Sequence, residues 1–111
     1  MKNIKSVSRF VRVSPKKARL AADLIRGMKV EEALVQLKHS GLKTGVLLTK
    51  TLKSAIANAE SREDAKRENL KIAEVKVDEG VTMKRAKAKS RGSQVPILKR
   101  TSHFTIVLKS V

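Results

Sequence analysis

Apolar and polar residues alternate loosely over residues 2–13, with Val7, Val11 and Val13 as the apolar marks, which predicts a first strand. Ser14-Pro15 then reads as a helix start, with serine as N-cap and proline at the first helical position. Ala18, Ala21, Ala22, Leu24 and Ile25 supply an apolar face, and Gly27 suits a left-handed stop. A second, short helix carries Glu31 and Glu32 in its first turn, where the helix dipole favours acids, with Ala33, Leu34 and Leu37 as its buried stripe and Gly41 at its end. The third and longest helix is expected over residues 43–60, where Leu48, Leu52, Ala55, Ile56 and Ala59 recur at helical spacing. The small residues Ala55, Ala57 and Ala59 would let it approach a sheet or helix closely. Residues 61–69 read as a mixed-charge loop with Ala65 as the sole core candidate.

Two strands close the chain. Leu70 and Ile72 alternate with one phase and Val75 and Val77 with the other, which predicts a bulge or a late strand start near Ala73-Glu74. Phe104, Ile106 and Leu108 mark one face of the last strand. Side chains alternate faces, so Val75 and Val77 should oppose members of the Ile106/Leu108 set, and paired positions must sum to an odd number. A tip centred on Arg91-Gly92 pairs Val77 with Ile106 and Val75 with Leu108, and puts Gly92 where a turn needs positive φ. Pro96 lacks an N–H and should face away from the ladder or mark a bulge.

Between those strands, residues 84–94 carry Lys84, Arg85, Lys87, Lys89 and Arg91, no acid, and no apolar side chain larger than alanine. Such a stretch cannot build a core, so it reads as the end of a long hairpin arm that touches a polyanion. Each arm outward from Val81 would span about ten residues, or roughly 30 Å at strand rise.

Charge sharpens this picture. The 111 residues (12.3 kDa) allow one domain with a modest core. The formal charge is +16: residues 1–30 contribute +8, residues 31–80 sum to 0, and residues 81–111, which hold no acid, contribute +8. A neutral centre between two basic poles calls for a polyanionic partner, since the poles repel one another. With no Cys there is neither a disulfide framework nor a thiolate metal site. Apolar runs are too short to span a membrane, and the basic N-terminus has no apolar signal core, which argues against secretion.

Catalysis finds no constellation. His39 and His103 have no metal-ligand spacing, and both read as structural or solvent-exposed. Glu60, Glu63, Asp64 and Glu68 are interleaved with Arg62, Lys66 and Arg67, the mark of a solvated loop rather than a cation site. Asp78-Glu79 reads as a salt bridge or turn. The basic residues stand apart: Arg9, Arg12, Lys16, Lys17 and Arg19 cluster at the first strand–helix junction, and the arm supplies a second cluster. With no Trp, no Tyr and two Phe, base stacking is not expected to drive recognition, which leaves phosphates, 2′-hydroxyls and shape. Folded RNA offers crevices for a thin basic arm, and so does the minor groove of bent DNA.

Ser14-Pro-Lys-Lys-Ala-Arg-Leu-Ala-Ala-Asp-Leu-Ile-Arg-Gly27, Ser54-Ala-Ile-Ala-Asn-Ala-Glu60, Val77-Asp-Glu-Gly80, Met83-Lys-Arg85 and Lys99-Arg-Thr-Ser-His103 together resemble, in order and spacing, the bacterial large-subunit ribosomal protein L twenty-two family. The resemblance implies an α+β fold: three helices packed on a small antiparallel sheet, with a long protruding β-hairpin arm. It implies a single domain, residues 1–111, with a globular body of residues 1–82 and 101–111 and an arm of about residues 83–100. It further implies a non-enzymatic, cytoplasmic protein of the large ribosomal subunit that bridges several rRNA domains and supports early assembly. Its hairpin would line the nascent-peptide exit tunnel.

The expected rRNA-binding residues are Arg9, Arg12, Lys16, Lys17, Arg19, Lys84, Arg85, Lys87, Lys89, Arg91, Lys99, Arg100 and His103. The expected tunnel-lining tip is Lys87, Ala88, Lys89, Ser90, Arg91, Gly92 and Ser93. Expected partners are large-subunit rRNA, neighbouring large-subunit proteins and, transiently, the nascent polypeptide. No cofactor, metal, membrane or small-molecule substrate is expected. The tip departs from the family, which often has Pro-Arg-Ala where Ala88-Lys89-Ser90 stand and Arg where Ser93 follows Gly92. Lysine for arginine at position 89 also loses bidentate geometry. The alternative is a nucleoid-type DNA-bending protein with a basic β-arm.

Overall fold

The computed structural model describes residues 3–41, 43–88, 92 and 94–110, with backbone alone at 87–88 and 94–96. Strand β1 (Ile4–Val11) leads into helices α1 (Pro15–Ile25), α2 (Val30–His39) and α3 (Lys43–Arg62). After a 3-10 turn at Arg67–Asn69 come strands β2 (Leu70–Glu79), β3 (Met83–Ala88), β4 (Gln94–Lys99) and β5 (Ser102–Ser110). The α+β architecture agrees with expectation: β1, β5 and β2 form a three-stranded antiparallel sheet with β5 central, the helices cover one face of it, and β3 and β4 form a separate two-stranded ribbon.

The core lies between helices and sheet. Strand β5 alternates strictly, burying Ser102, Phe104, Ile106 and Leu108 against Leu48, Leu52, Ile56 and Ile25. Three helical details differ from the sequence reading. Leu24 lies outside the buried stripe, Ala57 is exposed while Ala55 and Ala59 make the close contact, and α3 runs on to Arg62. In β1 one apolar mark falls on the outer face: Val7 is exposed and Ser6 is the buried residue, whereas Val11 packs against the core and Val13 is buried. Residue spacing could not separate the two phases, because small serines on the inner side fit the space beneath α3. There Ser8 Oγ meets Thr51 Oγ1 at 2.7 Å.

The β2–β5 register has the expected odd sum but is displaced by two residues, with Val75 opposite Ile106 and Val77 opposite Phe104. The bulge at Ala73 falls where the phase change predicts it, and beyond it Ile72 meets Leu108. The ribbon keeps a different register, Met83 opposite Lys99 and Ala88 opposite Gln94. The arm is therefore not one continuous hairpin with β2 and β5. Three residues (80–82) lead out of the sheet and two (100–101) return, so the register slips by one at the joint. At that joint Gly80 N–H donates to the Thr101 carbonyl at 2.9 Å, and Thr101 Oγ1 donates to the Val81 carbonyl at 2.7 Å. A Cβ on Gly80 would stand 2.4 Å from Thr101 Oγ1, so this crossing admits only glycine without rearrangement.

The strands of the ribbon have six residues each, about 20 Å rather than 30 Å. Pro96, opposite Ala86, sits in a ribbon where both strands are edges, and no bulge interrupts the pairing. Gly92 has φ +75°, as a turn there demands. The molecule measures 62 × 25 × 17 Å, and its radius of gyration is 16.9 Å, against about 13 Å for a compact chain of roughly 100 residues.

Candidate nucleic-acid interface

Val13 is buried at the turn between β1 and α1, and its carbonyl accepts a 2.8 Å hydrogen bond from the fully buried Ser102 Oγ. That bond ties the first basic cluster to the start of β5, two residues beyond Arg100. The result is a cleft of about 660 Å³ between body and ribbon. Arg12 and Lys17 line one side, Lys99 and Arg100 the other, and Lys43 at the start of α3 closes it. Leu20, Ile97 and Leu98 give it apolar walls, all three exposed, and no acidic residue lines it.

The electrostatics are uncompensated. Among the described residues the ion pairs are Arg26–Asp23, Arg67–Glu60 at 3.4 Å and Lys76–Glu74 at 3.3 Å, all elsewhere. Lys16 and Lys17 stand exposed in the first turn of α1, which holds no acid. Cations there oppose the helix dipole, whereas a bound anion would complement both.

Arg19 has a different task. Its Nε and Nη2 both donate to the Val77 carbonyl at 3.3 Å, and Arg26 Nη2 donates to the Val75 carbonyl at 2.9 Å. Arg19 of α1 and Arg26, the residue that caps its end, thus cover the open edge of β2, which would otherwise present unpaired carbonyls. The structure separates Arg19 from the cleft residues with which the sequence grouped it.

Arg9 and His103 meet at a second place, on the sheet face away from the helices. Two residues, Arg9 and Phe10, oppose the single His103, a bulge that the sequence pattern did not reveal. Phe10 has φ +55°, a left-handed conformation that costs an aromatic residue about 1–3 kcal/mol. Its N–H donates to His103 Nδ1 at 3.1 Å, and the two rings meet edge to face at 5.0 Å. His103 is thus tied to the Phe10 backbone and ring, beside Arg9 on the same face.

Lys84, Arg85, Lys99 and Arg100 are all exposed along the ribbon. Lys87 and Ala88 are placed by backbone alone, near its end. Lys89, Ser90, Arg91 and Ser93 lie outside the described residues. Asp78 and Glu79, read from sequence as a salt bridge or turn, instead end β2 opposite His103 and Ser102, with no ion pair among the described residues. Among the described residues no group of three or more His, Asp or Glu side chains is arranged to hold a metal ion, and no helix is long and apolar enough to cross a membrane.

A family model described as "Ribosomal protein L22p/L17e" matches residues 6–109, nearly the whole chain. The chain belongs to this family. A protein of Protochlamydia amoebophila called "Large ribosomal subunit protein uL22" is 58% identical over 111 residues, covering 100% of both chains. Proteins of the same name from Chlamydia pneumoniae and Chlamydia trachomatis are 56% and 58% identical over 104 residues, 94% of each chain. As a member of the L22p/L17e family the chain is a large-subunit protein of the cytoplasmic ribosome, and a structural protein rather than an enzyme. Membership also sets aside the DNA-bending alternative.

Proposed function

We propose that this protein clamps and bridges segments of large-subunit rRNA through the cleft between its body and its ribbon, supports early subunit assembly by doing so, and extends its arm along the exit tunnel. The observation that carries this reading is the meeting of the two basic poles. Arg12 and Lys17 come from one end of the chain, Lys99 and Arg100 from the other, and they line one acid-free cleft. Isolated surface lysines would need no such convergence. Five cations around a cavity with apolar walls suit a phosphate backbone with its sugars packed against Leu20, Ile97 and Leu98.

The arm, taken as about residues 83–100 against a body of residues 1–82 and 101–111, then holds a second stretch of RNA along Lys84 and Arg85. Its tip, residues 87–93, faces the nascent polypeptide. Neighbouring large-subunit proteins are the remaining partners.

Salt dependence tests the cleft. Each of Lys17→Gln, Lys99→Gln and Arg100→Gln should weaken binding to protein-free large-subunit rRNA and lower the slope of log affinity against log salt by about one unit or slightly less. Unchanged slopes in all three would move the binding surface elsewhere.

A further inference from the structure

The sheet face opposite the helices carries an aromatic ring in an unusual posture. Ser6 and Ser8 of β1 point toward α3, so strict alternation would send Phe10 inward after them. The bulge at Arg9-Phe10 and the left-handed φ of +55° turn it out instead, and its side chain is left 61% exposed. A left-handed aromatic residue is an uncommon arrangement, and one that exposes the ring gains no core packing to offset it. The posture is nevertheless fixed: His103 Nδ1 holds the Phe10 N–H, and the imidazole braces the ring at 87°. An edge-to-face contact occupies no more than one face of the phenyl ring. Beside it lies a shallow cavity of about 310 Å³ bordered by Lys5, Arg9 and one acid, Asp78.

We infer that Phe10 is a stacking platform for an unpaired base of the rRNA, with Lys5 and Arg9 taking the adjoining phosphates. An A-form duplex hides its base faces, so the ligand is a nucleotide from a loop, bulge or strand end. The Asp78 carboxylate directs the sugar–phosphate backbone toward the Lys5 and Arg9 side. Base–aromatic stacking is indifferent to sequence, since every base has a π-face. The small aromatic content of the chain argued against this mode, but one aromatic suffices for one base. The inference rests on the rRNA-binding reading above.

The test uses the full chain and protein-free large-subunit rRNA. Phe10→Ala and Phe10→Leu should each lower affinity about 5- to 150-fold, the range for loss of one stacked base, while leaving the salt slope unchanged because no charge is removed. Phe10→Trp should retain affinity. It introduces the sole tryptophan of the chain, and its emission should be quenched on saturation with rRNA. Affinities of both Phe10→Ala and Phe10→Leu within twofold of wild type, or unquenched Phe10→Trp emission at saturation, would overturn the stacking inference while wild-type salt-dependent binding stood. Loss of salt-dependent binding in the wild-type chain would overturn the underlying rRNA reading as well. Phe10→Leu and Phe10→Trp keep a large side chain, so a folding defect confined to Phe10→Ala leaves the result decisive.

Discussion

At the scale of single residues, local energy and function pull apart at Phe10. The left-handed backbone there is a cost borne by the free protein, and only glycine is free of it. Phe10→Gly should therefore be more stable than Phe10→Ala by about 1 kcal/mol, seen as a melting temperature several degrees higher. Equal stabilities would show that the bulge relaxes when the ring is removed. Arg19 of α1 and Arg26 at its C-cap show the converse, charge used for structure. Arg19 and Arg26 satisfy carbonyls of an edge strand, so a basic residue in this chain is not automatically a contact with RNA. Nothing in the sequence separates Arg19 from Lys16 and Lys17; only the placement of β2 beneath α1 does.

At the scale of elements, the first turn of α1 and the sheet–ribbon joint are informative. Ser14 and Pro15 start the helix where the sequence predicts, with Ser14 in extended conformation before it. Ser14 makes no side-chain cap, and the two lysines that follow oppose the dipole. Lys17→Glu should consequently stabilise the free protein by about 0.3–1 kcal/mol in thermal melts while weakening rRNA binding by more than Lys17→Gln does. A variant that both destabilised the fold and bound normally would contradict this reading of the helix start. The joint explains why the arm could not be registered from sequence. Parity was readable from Val75 and Val77, but a slip of one residue across Gly80–Thr82 depends on how the chain leaves one sheet for another. That is set by Thr101 and Gly80 in three dimensions, not by alternation.

At the scale of the whole molecule, the charge map and the shape fit together. The ribbon is two-stranded and packs no core of its own, which makes such a hairpin marginal in water. In the free protein its backbone should be mobile on the picosecond–nanosecond timescale, with NMR order parameters below about 0.6 for residues 84–88, rising toward about 0.85 on binding rRNA. Values near the rigid limit in the free protein would mean that the ribbon is held by the body alone.

The sequence by itself determined the helices, the approximate strands, the α+β class, the bulge at Ala73, the family and the two basic poles. The elements, the bulge and the poles follow from local periodicity, turn chemistry and summed charge, quantities carried by neighbouring residues, whereas the α+β class and the family follow from the resemblance of five sequence blocks in order and spacing. Tertiary structure decided which of the poles' cations share a cleft, which arginines are turned to edge carbonyls, where the ribbon departs from the sheet, and that Phe10 faces outward. Each of those depends on residues far apart in the chain, Val13 with Ser102, Arg19 with Val77, Phe10 with His103. Their partners come within reach only once β5 has taken its place between β1 and β2, and no pattern along the chain encodes that distance.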